Sequence, residues 1–152
     1  MDYALIDAAA SPDAAPALQP YMEAGLARSL FERQPESSLA DAGPWLVVLD
    51  GHAGLRHLLH VMDRRPGAVA RLGADVGFEA LFDHLEGCLD LRLADGSLAM
   101  FRFWDGRALY RVWQLLTPAQ RKAFFGPVTR WSVRLQGQMW ELDRSQLETS
   151  DA

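Results

Sequence analysis

Cysteine is almost missing from this chain: Cys88 is the only one, so neither an intramolecular disulfide nor a cysteine-rich zinc site can form within one copy. That usage suits a reducing compartment, and a cytoplasmic location is expected. Lysine is equally scarce, with Lys122 alone among the 15 basic residues, and the arginines stand singly or in pairs rather than in a stripe. With a net charge of -5 there is no footprint for a phosphate backbone, so nucleic acid is not an expected partner. No apolar run approaches the roughly 20 residues that a membrane-spanning helix needs, and no charged n-region with an apolar stretch and cleavage site opens the chain. Membrane association and a signal peptide are therefore not expected.

Familiar catalytic strings are missing too. There is no Gly-x-Ser-x-Gly elbow for a serine nucleophile. Asp50-Gly51-His52-Ala53-Gly54 follows a strand-like run but has the spacing of neither a P-loop nor a dinucleotide fingerprint. What the chain does have is a globular balance, 49% hydrophobic and 23% charged over 152 residues, enough for one self-sufficient core. Residues 1–142 read as one α/β domain, and 143–152 as a polar tail without periodicity.

The hydrophobic pattern alternates between strand and helix. Tyr3 to Asp7 reads as a strand, with a helix near Leu18 to Leu26 and a possible extended piece at Ser29 to Phe31. Trp45 to Leu49 is a continuous apolar run, as in a strand buried on both faces, and is expected near the sheet centre. Leu55, Leu58, Leu59 and Met62 then repeat at helical spacing, as do Phe78, Leu81, Phe82 and Leu85 after a weaker strand at 68–72. Asp95-Gly96 predicts a hairpin that aligns Leu93 with Leu98, Leu91 with Met100, and Leu89 with Arg102. Leu109, Val112, Trp113 and Leu116 mark the next helix, and Thr117-Pro118-Ala119-Gln120 opens another with a capping box. Gln136-Gly137 closes a last hairpin, pairing Val133 with Trp140 and Trp131 with Leu142. The expected fold is a mixed β-sheet with helices packed on its faces, in the order β-α-β-α-β-α-β-β-α-α-β-β.

Two residue clusters could carry function. Asp50, His52, His57 and His60 lie close in sequence, and imidazoles with a carboxylate suit zinc or iron, which would make a small metal-assisted enzyme. The spacing is not His-Glu-x-x-His, and His57 and His60 equally read as solvent-facing flanks of a helix. His84 reads as solvated or hydrogen-bonded, and Cys88 as a small buried residue. The second cluster is Phe101-Arg102-Phe103-Trp104-Asp105. An arginine at the end of an apolar row needs a partner, and Asp105, also a helix cap, could tie it down. Alternatively Trp104 and Tyr110 extend outward beside that tie as part of a protein-binding surface. A regulatory ligand-binding domain stays open as a third alternative.

Several segments taken together resemble a known family: Tyr3-Ala4-Leu5-Ile6-Asp7, Leu39-Ala40-Asp41-Ala42-Gly43-Pro44-Trp45-Leu46-Val47, Leu81-Phe82-Asp83-His84-Leu85, Leu91-Arg92-Leu93-Ala94-Asp95-Gly96, Phe101 to Leu109, and Phe124-Phe125-Gly126-Pro127. The set is similar to the adaptor-chaperone domain of bacterial type VI secretion systems, across roughly residues 3–142. The resemblance implies a cytoplasmic, non-catalytic adaptor, without cofactor, that binds a secreted effector protein and assists its loading onto the VgrG spike. Gly106 stands where that family commonly has proline, and Trp104 where tyrosine is frequent. Many members continue into a variable C-terminal lobe, so effector selection is expected to reside elsewhere in this chain. Trp104, Tyr110, Arg102 and Asp105 are the residues expected to meet a partner.

Overall fold

The computed structural model describes residues 1–33, 37–49, 53–92 and 95–149. In chain order the elements are β1 (Asp2–Asp7), α1 (Ala14–Glu23), β2 (Ala27–Ser29), β3 (Pro44–Val48), α2 (Ala53–Met62), β4 (Val69–Ala74), α3 (Phe78–Gly87), β5 (Asp90–Arg92), β6 (Leu98–Met100), α4 (Gly106–Trp113), α5 (Pro118–Phe125), β7 (Val128–Leu135), β8 (Gln138–Asp143) and α6 (Arg144–Thr149). The fold is α/β, with a six-stranded sheet ordered β2-β3-β1-β4-β7-β8 and β5-β6 as a separate pair.

Every neighbouring pair in these sheets is antiparallel, although a mixed sheet is the expectation from a strand-helix-strand order. The reason lies in how two units interlock. Strands β1 and β2, joined by α1, run the same way, but β3 lies between them and pairs with both. Strands β3 and β4, joined by α2, also run the same way, and β1 lies between them. Each helical crossover therefore links strands two places apart, and the intervening strand supplies antiparallel partners. The same arrangement corrects the position of the Trp45 run. It is second from the edge, and β1 with β4 take the centre.

Period-two alternation along these strands sorts the core onto both faces. Ala4, Ile6, Trp45, Val47 and Val69 point to one side, where Ala14 and Leu18 of α1 and Leu55, Leu59 and Met62 of α2 cover them. Tyr3, Leu5, Leu46, Ala70, Leu72, Trp131 and Val133 point to the other, beneath α3, α4, α5 and α6. The second layer is aromatic: Phe124 lies 5.2 Å from Trp131, and Phe103 lies 5.6 Å from Phe124 and 6.0 Å from Trp131. No described helix is long and apolar enough to cross a membrane.

The two hairpins behave differently. At Gln136-Gly137, with φ of 51° and 78°, the turn has the positive pair that a two-residue loop demands, and Val133 meets Trp140 and Trp131 meets Leu142 as expected. The Asp95-Gly96 hairpin has another register: Leu91 faces Ala99 and Asp90 faces Met100. Asp95 Oδ1 accepts from Ser97 N at 2.9 Å and from the Ser97 hydroxyl at 2.5 Å, so Ser97 joins the turn and the pairing shifts by one residue. A shift of one exchanges the faces. Leu89 O accepts from Phe101 N at 2.7 Å, and Phe101 rather than Arg102 enters the core. The expected partner of Leu98, Leu93, lies outside the described residues.

The segment after Leu142 is a second departure, because Arg144–Thr149 is helical where a polar, aperiodic tail is the expectation. Asp143 Oδ1 accepts from Ser145 N at 2.9 Å, and Gln146 Oε1 accepts from Asp143 N at 3.4 Å, a reciprocal arrangement that starts the helix. Leu147 is buried, while Arg144 donates to Val128 O at 3.1 Å and to Asp75 Oδ2 at 2.9 Å.

Candidate functional site

Four residues, Arg102, Trp104, Asp105 and Tyr110, are the sequence candidates for partner contact, and the fold separates them. Trp104 is 3% exposed, edge-on to Phe31 at 5.5 Å and to Phe103 at 5.4 Å. It is a core residue, not an outward one. Arg102 is exposed, and among the described residues it has no carboxylate in ion-pair contact, so the expected Arg102-Asp105 tie does not form. Asp105 instead caps α4, accepting from Arg107 N at 3.0 Å, and holds the Arg107 guanidinium with Nε at 3.2 Å. The corner is closed by backbone: Asp105 N donates to Arg102 O at 3.1 Å, and Gly106 N to Gly67 O at 3.1 Å.

Asp7 lies within the field of this corner. Burial pushes its carboxyl above the ordinary value of 3.8, and the nearby Asp105 charge adds to that. The bond from Ala9 N and the charges of Arg102 and Arg107 oppose the rise without cancelling it. Arg102 thus acts on the corner as a distant surface charge rather than as a clamp.

Tyr110 keeps its outward position at 47% exposure. The Asp105 cap fixes where α4 begins, and helical spacing then puts Arg107, Tyr110 and Arg111 on one stripe while Leu109 and Trp113 enter the core. α4 lies close on β7 because residue 106 is glycine. A methyl there would collide with Val133 Cγ2 and crowd Leu135 Cδ2 at 3.3 Å. That approach carries the Tyr110 ring to Trp140 of β8, with centroids 5.0 Å apart and planes at 76°. Between α4 and the β7-β8 turn runs a groove of about 610 Å³, with Arg107, Tyr110, Arg111, Leu135, Met139 and Trp140 among its lining. Met139 is 48% exposed at its rim. The lining carries two guanidinium groups and no carboxylate.

Trp140, Met139 and Arg111 are groove residues that sequence reasoning did not single out. Trp140 was legible only as a buried strand position, since it takes the docking of α4 to bring Tyr110 beside it. Met139 pairs with Arg134, so alternation signals its exposure on the face away from α4, and it borders the groove through its place on the edge strand.

The histidine cluster does not come together in the described residues. Asp50 and His52 lie outside them, as does Gly51 of the Asp50-to-Gly54 string. His57 and His60 are both exposed on α2, and among the described residues no three His, Cys, Asp or Glu side chains converge as metal ligands. His84 Nε2 donates to Phe124 O at 2.6 Å, as expected of a hydrogen-bonded histidine. Burial pushes the Cys88 thiol up to about 11, which keeps it protonated and unreactive at neutral pH.

No curated protein and no solved structure matches the chain. A family model does, over residues 3–123, a span that includes the corner and all of α4 but stops before β7 and β8. The chain therefore belongs to the DUF4123 family, described as a domain of unknown function.

Proposed function

We propose that this chain is a non-catalytic adaptor that binds a type VI secretion effector in the cytoplasm and assists its loading onto a VgrG-type spike protein. The observation that carries this reading is the groove between α4 and β8, where Tyr110 and Trp140 offer apolar surface beside Arg107 and Arg111, and Met139 borders it on the edge strand. Aromatic, methionine and arginine side chains are the types enriched where proteins meet, and half-exposed rings held against each other lose little entropy on binding. The resemblance of the chain's segments to secretion adaptors supplies the partner classes.

The test is quantitative co-purification of the tagged chain from a type VI-active cell that encodes it. The expected result is recovery of an effector and a spike component in near-stoichiometric amounts, with effector recovery reduced by Tyr110→Ala. Recovery of neither partner from cells that are actively secreting would overturn the reading.

A further inference from the structure

The main sheet has two edges, and they are finished differently. Strand β2 is three residues long, and its Arg28 is engaged by Glu32 and by Glu79 of α3. Short, charge-tied strands of this kind resist pairing with another chain. Strand β8 is six residues long, contains no proline or lysine, and among the described residues pairs only with β7.

The turn geometry decides which groups that edge presents. In a two-residue hairpin the closing pair, here Leu135 and Gln138, exchanges both backbone bonds, and bonded pairs then alternate along the ladder. Trp140 and Leu142 thus direct their N–H and C=O groups to β7, while those of Met139 and Glu141 point out from the sheet. Asp143 is the next outward position, and its N–H already donates to Gln146 Oε1 at 3.4 Å. The free stretch lies directly beside the Tyr110–Trp140 groove.

We infer that β8 accepts an added strand: an extended segment of the partner that pairs with Met139 and Glu141 and directs apolar and acidic side chains alternately into the groove between α4 and β8. This rests on the adaptor reading and specifies its mode. Strand addition gives affinity through main-chain bonds and selectivity through the pockets under alternate side chains. Here Trp140 and Tyr110 offer the apolar pocket. Arg111 has no carboxylate in ion-pair contact among the described residues, and the Asp105 that pairs with Arg107 does not line the groove, so an acidic side chain is the matching charge for Arg111. The same charges argue against a second copy. Two β8 strands paired about a two-fold axis would place both α4 helices on one face of the joined sheet, with their arginines toward each other and no acid in either groove.

The probe is a fluorescein-labelled peptide with threonine at odd positions and leucine, aspartate, valine and aspartate at the even ones, titrated into the full chain by anisotropy. Binding is expected, with hydrogen-exchange protection appearing at the Met139 and Glu141 amides. Replacing both aspartates by lysine, or making Arg111→Glu in the chain, should weaken it by about tenfold or more. Met139→Pro removes an outward N–H without breaking the β7 ladder, so it should abolish binding while thermal unfolding stays near wild type. No binding, equal binding of the lysine peptide, or binding without protection of those amides overturns the proposal. Protection that rises with protein concentration in the absence of peptide, with dimers in sedimentation, also overturns it in favour of self-pairing. Effector that still co-purifies with Met139→Pro leaves the adaptor reading standing and rejects this edge, whereas loss of effector from wild type rejects the reading itself.

Discussion

Arg102 lies on the surface next in the chain to the buried ring of Phe103, and the two predict opposite responses to truncation. Removing an exposed side chain that makes no ion pair among the described residues should change stability by less than about 0.5 kcal/mol, so Arg102→Ala should unfold at nearly the wild-type urea midpoint. Phe103 touches Phe101, Trp104, Phe124 and Trp131, and Phe103→Ala should cost about 3–5 kcal/mol. A large loss from Arg102→Ala would restore the clamp that sequence reading allows. Asp7 makes a prediction about pH. Its carboxyl is raised by burial, so the folded state holds the proton more tightly than the unfolded chain does. That contribution is fully present below about 3.8 and is lost as pH rises through the higher folded value. Asparagine keeps the cap on Ala9 N without the buried charge. Asp7→Asn should therefore be the more stable protein at pH 7, with the advantage shrinking to nothing in denaturation at pH 3; an advantage that grows in acid would contradict it.

At the scale of elements, the docking of α4 depends on one missing side chain. Gly106→Ala puts a methyl against Val133 and should cost about 1–3 kcal/mol, read as a lowered melting temperature. Because the helix would have to back away from β7, the Tyr110–Trp140 contact should loosen too, with a change in near-ultraviolet circular dichroism. An unchanged spectrum would mean that the contact does not need the close approach. Much of this level was legible in the sequence: the helical faces of α2 and α3, the Thr117–Gln120 capping box and the Gln136-Gly137 register all follow from periodicity and turn chemistry. The hairpin after β5 was not, because Asp-Gly favours a tight loop while the Ser97 bonds to Asp95 extend it. Its one-residue shift is what turned Arg102 outward and Phe101 inward. Helix α6 lacks the apolar period that would make it legible, although Asp143-Arg144-Ser145-Gln146 carries the capping pattern and Leu147 the single anchor.

For the whole molecule, strand directions and neighbours were the least legible feature, since a strand-helix-strand order is the same whether the two strands touch or, as here, admit a third between them. The candidate site was legible in part. Tyr110 was identified from its helix, but its neighbours Trp140 and Met139 come from a hairpin some thirty residues onward and meet it only through tertiary packing. The interlocked sheet places α1 and α2 on one face and α3 to α6 on the other, so the groove proposed to bind a partner lies apart from α2. That separation gives the central claim its sharpest test: a photo-crosslinking amino acid placed at Tyr110, at Met139 or, as a control, at the exposed Val61 of α2, in cells with active type VI secretion. Adducts with an effector are expected from Tyr110 and Met139 and none from Val61; effector adducts from Val61 alone would rule out the groove as the binding surface.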